Sequence, residues 1–426
     1  MLLFVLPIAA ASIIQQLFHS ADTAVVGRFV GKEALAAVGG TSALVSLLIE
    51  FFVGLSNAAN VVVARFIGQD DRERAEAAVH TAISVALISG VFVGAVGFFL
   101  SKPMLGLMLV PDDIIDMSAG YLRIYFLGMP FLMLNNFSAA IFRSRGNTRK
   151  PLYCLSAGGV INVGMNLFFV LALNAGVAGV AWATVISNGV SSGLMLALLM
   201  REDEPIRLNP RCLRLDRGIL RMLIGIGLPS GILGSVFSIS NVCTQSAINS
   251  LGTDVVSASS AAVSVEIYIQ FFGNAFAQAT TTAVSQNYGA KKSERCDVVV
   301  RTALTLCLIV TVILSAAVYL SGRTLLRIFV ADAVVIEIAM TRMKYTVVFK
   351  FVQSVMDIMS GCLQGYGYTL VPALISIVGV CGVRLFWIYT VFPGFQTLES
   401  LMFIYPVTQG IAAIAYTLCW LRIRRK

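Results

Sequence analysis

Residues 79–100 read VHTAISVALISGVFVGAVGFFL, with no aspartate, glutamate, lysine or arginine between Val79 and Leu100. A membrane-spanning helix needs about 20 mostly apolar residues. Runs of similar character recur on both sides of this one. They lie at Leu2–Gly27, Ala36–Arg65, Met117–Phe142, Leu152–Leu173 and Val177–Met200, then at Met222–Ser250, Val256–Tyr288, Val298–Leu320, Val334–Leu363, Val371–Val391 and Leu398–Trp420. Little but short turns separates them. They lack the strict alternation of an outer-membrane barrel strand. The expected fold is therefore an all-α membrane protein with about twelve transmembrane helices, leaving no room for a soluble domain.

The composition agrees. Of 426 residues, 58% are hydrophobic and 12% charged, whereas a soluble domain carries about 25% charged residues. The net charge of +9 would suggest nucleic acid, but its distribution argues against that partner. With the N-terminus cytoplasmic, the inside segments hold Arg65, Arg72 and Arg74; Arg143, Arg145, Arg149 and Lys150; Arg201, Arg207, Arg211, Arg214, Arg217 and Arg221; Lys291, Lys292 and Arg295; and Arg422, Arg424, Arg425 and Lys426. These are 20 of the 31 basic residues. The outside loops hold Lys32, Lys102, Arg323 and Arg327, with Arg28 at a helix end. This is the positive-inside bias. It predicts a multi-pass protein of the plasma (bacterial inner) membrane with both termini cytoplasmic. The eight cysteines are scattered and the only histidines are His19 and His80, so neither a disulfide frame nor a zinc site is indicated.

The chain repeats itself at a shift of 221 residues. Gly31 matches Gly252, Gly68 matches Gly289, and Glu73-Arg74 matches Glu294-Arg295. Gly146, Thr148 and Pro151 match Gly367, Thr369 and Pro372, and Gly189 matches Gly410. Pro7 matches Pro229 at 222, a one-residue slip. The chain thus reads as two pseudo-symmetric six-helix lobes, 1–200 and 222–426, joined by a cytoplasmic linker, 201–221. An even number of spans per copy makes the repeats parallel, and transporters of that symmetry bind substrate between their halves.

Four carboxylates sit inside apolar runs: Asp22, Glu50, Glu266 and Asp357. Such a charge costs at least about 2.5–3.5 kcal/mol on insertion scales, so a cavity, a partner or a place at the membrane interface must accommodate it. Polar residues flank these acids at helical spacing. Ser12, Gln15, His19 and Asp22 share one face, as do Ser238, Asn241 and Gln245. Glu266, Gln270, Asn274 and Gln278 form another stripe, Glu50, Gly54 and Asn57 another, and Lys350, Ser354, Asp357 and Gly361 a last. Together these faces would line a wet cavity. Interhelical hydrogen bonding is the alternative, and it suits isolated residues such as Asn188 better. No P-loop, Ser-His-Asp or metalloprotease pattern occurs, so neither an enzyme nor a cofactor is expected.

Leu6-Pro7, then Gln15-Gln16-Leu17-Phe18-His19-Ser20-Ala21-Asp22-Thr23-Ala24-Val25-Val26-Gly27-Arg28-Phe29-Val30-Gly31, then Ala34-Leu35-Ala36-Ala37-Val38-Gly39, resembles the multidrug and toxic compound extrusion (MATE) family. So does Arg143-Ser144-Arg145-Gly146-Asn147-Thr148-Arg149-Lys150-Pro151. The resemblance covers the whole chain and looks closest to the bacterial multidrug-export branch. It implies export of organic, mostly cationic compounds in exchange for Na⁺ or H⁺ by alternating access. It also implies a coupling-ion site at Asp22, Asn162, Asn166 and Thr184, which is the only metal site expected, and a hinge at Pro7. Some members carry an aspartate where Asn166 stands. Some carry a glutamate in the seventh helix, where this chain has Val236-Phe237-Ser238. The family's short cytoplasmic N-terminal segment is missing here, so a trimmed N-terminus is expected.

The substrate cavity is expected to draw on Gln15, His19, Asn57, Asn241, Gln245, Glu266, Gln270, Asn274, Gln278 and Asp357. Expected partners are small organic cations and drugs, with membrane lipid around a monomer. A lipid-linked sugar or peptidoglycan-precursor flippase of the same superfamily is the alternative. Flippases handle anionic pyrophosphates, however, and the expected cavity sets four acids against few bases (Arg123, Lys350 and Arg384).

Overall fold

A computed structural model describes residues 1–108 and 110–424. Arg425 and Lys426, counted above among the cytoplasmic charges, lie outside the described residues, as does the side chain of Lys32. All regular structure among the described residues is helical. In chain order the helices are α1 (Leu2–Val25), α2 (Lys32–Gly68), α3 (Arg72–Leu107), α4 (Asp112–Leu127), α5 (Met129–Ser144), α6 (Arg149–Leu167), α7 (Gly176–Met200), α8 (Arg217–Asn249), α9 (Thr253–Gly289), α10 (Ser293–Leu320), α11 (Gly322–Leu326), α12 (Ala333–Thr346), α13 (Lys350–Gly365), α14 (Leu370–Ser376), α15 (Val383–Thr390), α16 (Phe392–Phe395) and α17 (Leu398–Arg424). Hydrocarbon cannot hydrogen-bond a free backbone, so helices that satisfy their own amides are the expected solution.

Ten of these segments are each long and apolar enough to cross a membrane, and two bent pairs raise the total to twelve. The fourth and tenth spans, expected to be continuous, are those pairs. Helices α4 and α5 meet at 47°, and α12 and α13 at 42°. In the first, Pro130 starts α5 and cannot donate to the preceding turn. In the second, no proline is present, but Val347 and Val348 are β-branched and favour helix weakly. The breaks, at Gly128 and Phe349, lie 221 residues apart, the spacing of the sequence repeat.

The duplication also shows in the backbone. Gly31 and Gly252 have φ of 122° and 103°, Gly146 and Gly367 have 90° and 89°, and Asp70 and Lys291 both have 57°. Gly31 and Gly252 have open space where a Cβ would stand. Conformation rather than room therefore calls for glycine there. The slip at Pro7 has a structural cause. Beyond Val25, α1 continues through a π-helical turn, Val26–Val30, and such a turn accommodates one extra residue. The offset is 222 before that turn and 221 after it.

Two compact units emerge, Ala10–Leu228 and Met1–Ala9 with Pro229–Lys426. Each repeat's first helix thus divides close to its internal proline, Pro7 in α1 and Pro229 in α8. The start of α1 goes with the second unit because Val5, Ile8 and Ala9 pack with Ala275, Phe276 and Ala279 of α9. The linker belongs to the first unit. His80 of α3 accepts from the Asn209 backbone N–H at Nε2 (3.1 Å), and Thr81 Oγ1 accepts from the Asp216 N–H (3.2 Å).

Close packing in the second unit depends on small residues, as in membrane bundles generally. Thr281 Oγ1 donates to the Gly361 carbonyl at 3.0 Å, and Ser285 Oγ to that of Gly365 at 2.9 Å. A Cβ on Gly361 would sit 2.6 Å from the Ala277 carbonyl oxygen, part of the α9 backbone. Gly361→Val should therefore destabilise the protein by about 1–3 kcal/mol. Thermal unfolding in detergent checks this, with Gly193→Ala, which meets nothing within 4 Å, as the silent control.

Candidate functional site

In the first unit, Asp22 on α1 is half-buried and its Oδ1 accepts a hydrogen bond from Asn166 Nδ2 on α6. The same Nδ2 reaches Asn162 Oδ1 at 3.3 Å, one helical turn earlier. Asn162 Nδ2 then donates to Ser187 Oγ on α7 at 3.4 Å. Asn166 is fully buried, and its Oδ1 has no hydrogen-bond partner among the described residues. The i, i+4 spacing of the two asparagines puts both amides on the face of α6 that meets α1 and α7. Val25, Val26, Val170, Val177 and Val180, with Tyr121, pack nearby as an apolar cluster. Three of the four residues named for a coupling ion are therefore joined side chain to side chain.

Thr184 enters differently. Its hydroxyl donates to the Val180 carbonyl in its own helix, and its carbonyl accepts from Ser187 Oγ. Ser187 is the hydroxyl that meets the asparagines. It was missed because serine three positions beyond Thr184 carries no distinct signal in an apolar helix. Asn188 Oδ1 accepts from Asn135 Nδ2 of α5 at 3.1 Å, and so ties helices together as expected. Gln15 and His19 are exposed and take no side-chain part in the Asp22 network. Glu50 is exposed and Asn57 half-buried.

The second unit contains a partly open cavity of about 310 Å³. Asn241, Gln245, Glu266 and Gln270 line it, as their stripes suggested. Three bases line it too: Arg342, Lys350 and Arg384. Arg342 Nη2 donates to Glu266 Oε1 at 3.0 Å. Lys350 Nζ donates to Gln270 Oε1 at 3.3 Å. Arg384 Nη1 donates to Asn241 Oδ1 at 3.4 Å, and its guanidinium lies 4.2 Å from the centre of the Tyr405 ring. Gln245 turns to Asn249 in its own helix.

Asn274, Gln278 and Asp357 are not among the residues around this cavity. Of the second unit's two intramembrane acids, Glu266 lines this space and Asp357 does not. Arg123, named among the candidate bases, is exposed over the Phe98 ring. Arg342 is a cavity residue that sequence reasoning missed, although it stands eight residues from Lys350, roughly two turns along the same bent span. Among the described residues no group of three or more His, Cys, Asp or Glu could hold a metal ion.

The MatE family model matches the chain twice, over residues 7–168 and 229–390, once per repeat. The chain is 27% identical over 391 residues to the probable multidrug resistance protein YoeA of Bacillus subtilis, covering 90% of this chain and 84% of that one. It is 26% identical over 395 residues to the probable multidrug resistance protein NorM of Thermotoga maritima, covering 89% and 82%. A solved structure described as the outward-facing conformation of a multidrug resistance MATE family transporter of the MOP superfamily matches with a TM-score of 0.90 at 22% identity. That match covers 99% of this chain and 94% of the other, and it bears on the fold.

The Glu266–Arg342 pair is buried, with Glu266 7% and Arg342 6% exposed. Removing one partner of a buried pair leaves a stranded charge, at about 3–5 kcal/mol, while replacing both with apolar groups is often neutral. Arg342→Met should lower thermal stability by that order, and Arg342→Met with Glu266→Met should recover most of it. Unfolding midpoints of the three proteins in one detergent decide the matter.

Proposed function

This chain belongs to the MATE family, and we propose that it is a secondary active multidrug efflux antiporter, exporting organic, mostly cationic compounds in exchange for Na⁺ or H⁺. One observation carries the proposal: the Asp22 carboxylate is held against a buried amide relay through Asn166 and Asn162 to Ser187. An ionised Asp22 accepts from Asn166 Nδ2. A protonated Asp22 becomes a donor, and the partnerless Oδ1 of Asn166 is then the complementary acceptor after the amide rotates. A small cation would instead find the carboxylate, two amide oxygens and a hydroxyl, all hard oxygen donors. Either event neutralises the one charge that attracts a cationic drug. Like charges repel strongly in low dielectric, so drug and coupling ion compete for Asp22.

The relay joins α1 to α6 and α7, so its rearrangement would pull on α1. Pro7 supplies no N–H to the helix and lies where α1 passes from one compact unit to the other. Bending of α1 there would carry ion binding at Asp22 into alternating access. The positive-inside distribution of the basic segments supports cytoplasmic termini and a location in the bacterial inner membrane. The relatives named above as multidrug resistance proteins support the efflux activity.

A lipid-linked sugar or peptidoglycan-precursor flippase of the same superfamily is the second reading, favoured by the bases around the second unit's cavity. Ethidium efflux from proteoliposomes, driven separately by a Na⁺ and by a proton gradient, tests the first. Wild type should export under at least one gradient, which names the ion. Asp22→Asn should lose transport at least about tenfold while remaining in the membrane, in keeping with the contribution of a charge-assisted hydrogen-bonding group. Full efflux by Asp22→Asn removes this carboxylate from the mechanism. No efflux by wild type under either gradient brings the flippase forward.

A further inference from the structure

We propose that the cavity of the second unit binds an organic oxyanion: a carboxylate, sulfonate or phosphate monoester carried on an apolar body. The sign is opposite to that of the cations expected at Asp22, and the proposal depends on neither efflux nor flipping.

The charge count comes first. Arg342, Lys350 and Arg384 line the cavity against a single acid, Glu266. Glu266 already holds Arg342 through Nε and Nη2. Lys350 and Arg384, 7% and 2% exposed, meet only neutral hydrogen-bond acceptors, Gln270 and Asn241. Neither has a salt-bridge partner among the described residues. Asp357, two turns beyond Lys350 on α13, does not line the cavity, and counting it would still leave one positive charge in excess. Positive groups held in a dry bundle are expensive unless a counter-charge meets them. An anionic ligand is the missing counter-charge.

The repeat supplies a second, independent observation. At the 222 offset that holds before the π-helical turn of α1, Asp22 corresponds to Thr244. At 221, Tyr121 corresponds to Arg342. The second repeat has its own π-helical turn, Ile377–Gly382. Beyond it the offset is again 222, as at the ends of the two family matches, and Asn162 corresponds to Arg384. All three counterparts line the cavity. Where the first repeat carries a carboxylate, a phenol and an amide, the second carries a hydroxyl and two guanidinium groups. Summed over the three positions, one negative charge in the first repeat is replaced by two positive charges in the second.

The cavity's form narrows the ligand. Its 310 Å³ lies at the small end of the range for ligand pockets. Phe237, Val263, Ile267 and Met356 supply apolar wall. Arg384, over the Tyr405 ring, carries a planar fork suited to two oxygens of one oxyanion, and Lys350 adds a point charge. This arrangement suits a compact oxyanion headgroup with an apolar tail.

The test is equilibrium binding and thermal stabilisation of the purified full chain in uncharged detergent, with eight-carbon probes differing only in headgroup. Octyl phosphate and octyl sulfate should bind and raise the unfolding temperature, and octyltrimethylammonium should not. Chloride should weaken the anionic probes by competition. Lys350→Gln and Arg384→Gln should each weaken octyl phosphate about tenfold, the scale of one charge-assisted contact. Asp22→Asn should leave its affinity unchanged.

Dioctanoyl phosphatidic acid separates two sources of the same chemistry. Tighter binding than octyl phosphate identifies a lipid headgroup, weaker binding identifies a free amphiphile, and either supports the site. Equal or stronger binding of octyltrimethylammonium overturns it, and this comparison needs no variant to fold. Anion affinity that survives both Lys350→Gln and Arg384→Gln in folded protein overturns it as well.

Discussion

Inside a bilayer a polar group has no water to turn to, and everything distinctive in this protein follows from where its polar groups find partners. Most hydroxyls solve the problem locally. Ser101, Thr280 and Thr408 each donate to the carbonyl four residues back in their own helices. They reach no neighbouring helix. The amides and charges cannot be satisfied so cheaply, and they collect at two places. In the first unit a carboxylate leans on two asparagines and a serine. In the second a glutamate holds one arginine, while a lysine and another arginine rest on neutral amides. The folds of the two units are alike because the backbone problem is the same. Their chemistry differs because the side-chain solutions differ.

The helices themselves were readable from the sequence because each requires only a long apolar run, a one-dimensional property. The duplication was readable in part because two of the glycine pairs that mark it, Gly31 with Gly252 and Gly146 with Gly367, have positive φ, where other residues are strained. Breaks within spans were harder. Pro130 offered a cue for the first, but Val347-Val348-Phe349 resembles any buried apolar segment. The second break becomes visible only when the first is carried across the repeat.

The candidate sites were legible in the same uneven way. Asp22 stood out as an acid at helical spacing from other polar residues within an apolar run, whereas Asn162 and Asn166 came from the family resemblance. Ser187 did not, because serine is common in packed membrane helices and its partner choice depends on the rotation of α7. Arg342 was hidden in another manner. Helical spacing shows which residues share a face, but not which faces of different helices converge. A count of acids and bases along the spans therefore suggested an acidic cavity. In three dimensions Glu266 shares a cavity of the second unit with Arg342, Lys350 and Arg384, and Asp357 of the same unit is not in its lining.

That separation bears on how duplicated transporters diversify. Left-handed turns at Gly31 and Gly252, and helix breaks at Gly128 and Phe349, fix where each repeat bends, and both copies retain them. Residues that face a cavity are under no such backbone constraint. A hydroxyl at Thr244 fits the helix as well as the carboxylate of Asp22 does, and Arg384 occupies a helical position as readily as Asn162. Charge can therefore change sign between copies without disturbing the frame, provided each new charge acquires an acceptor. Glu266, Gln270 and Asn241 supply those acceptors. The cost of burying charge thus confines such new charges to positions where a partner stands within reach.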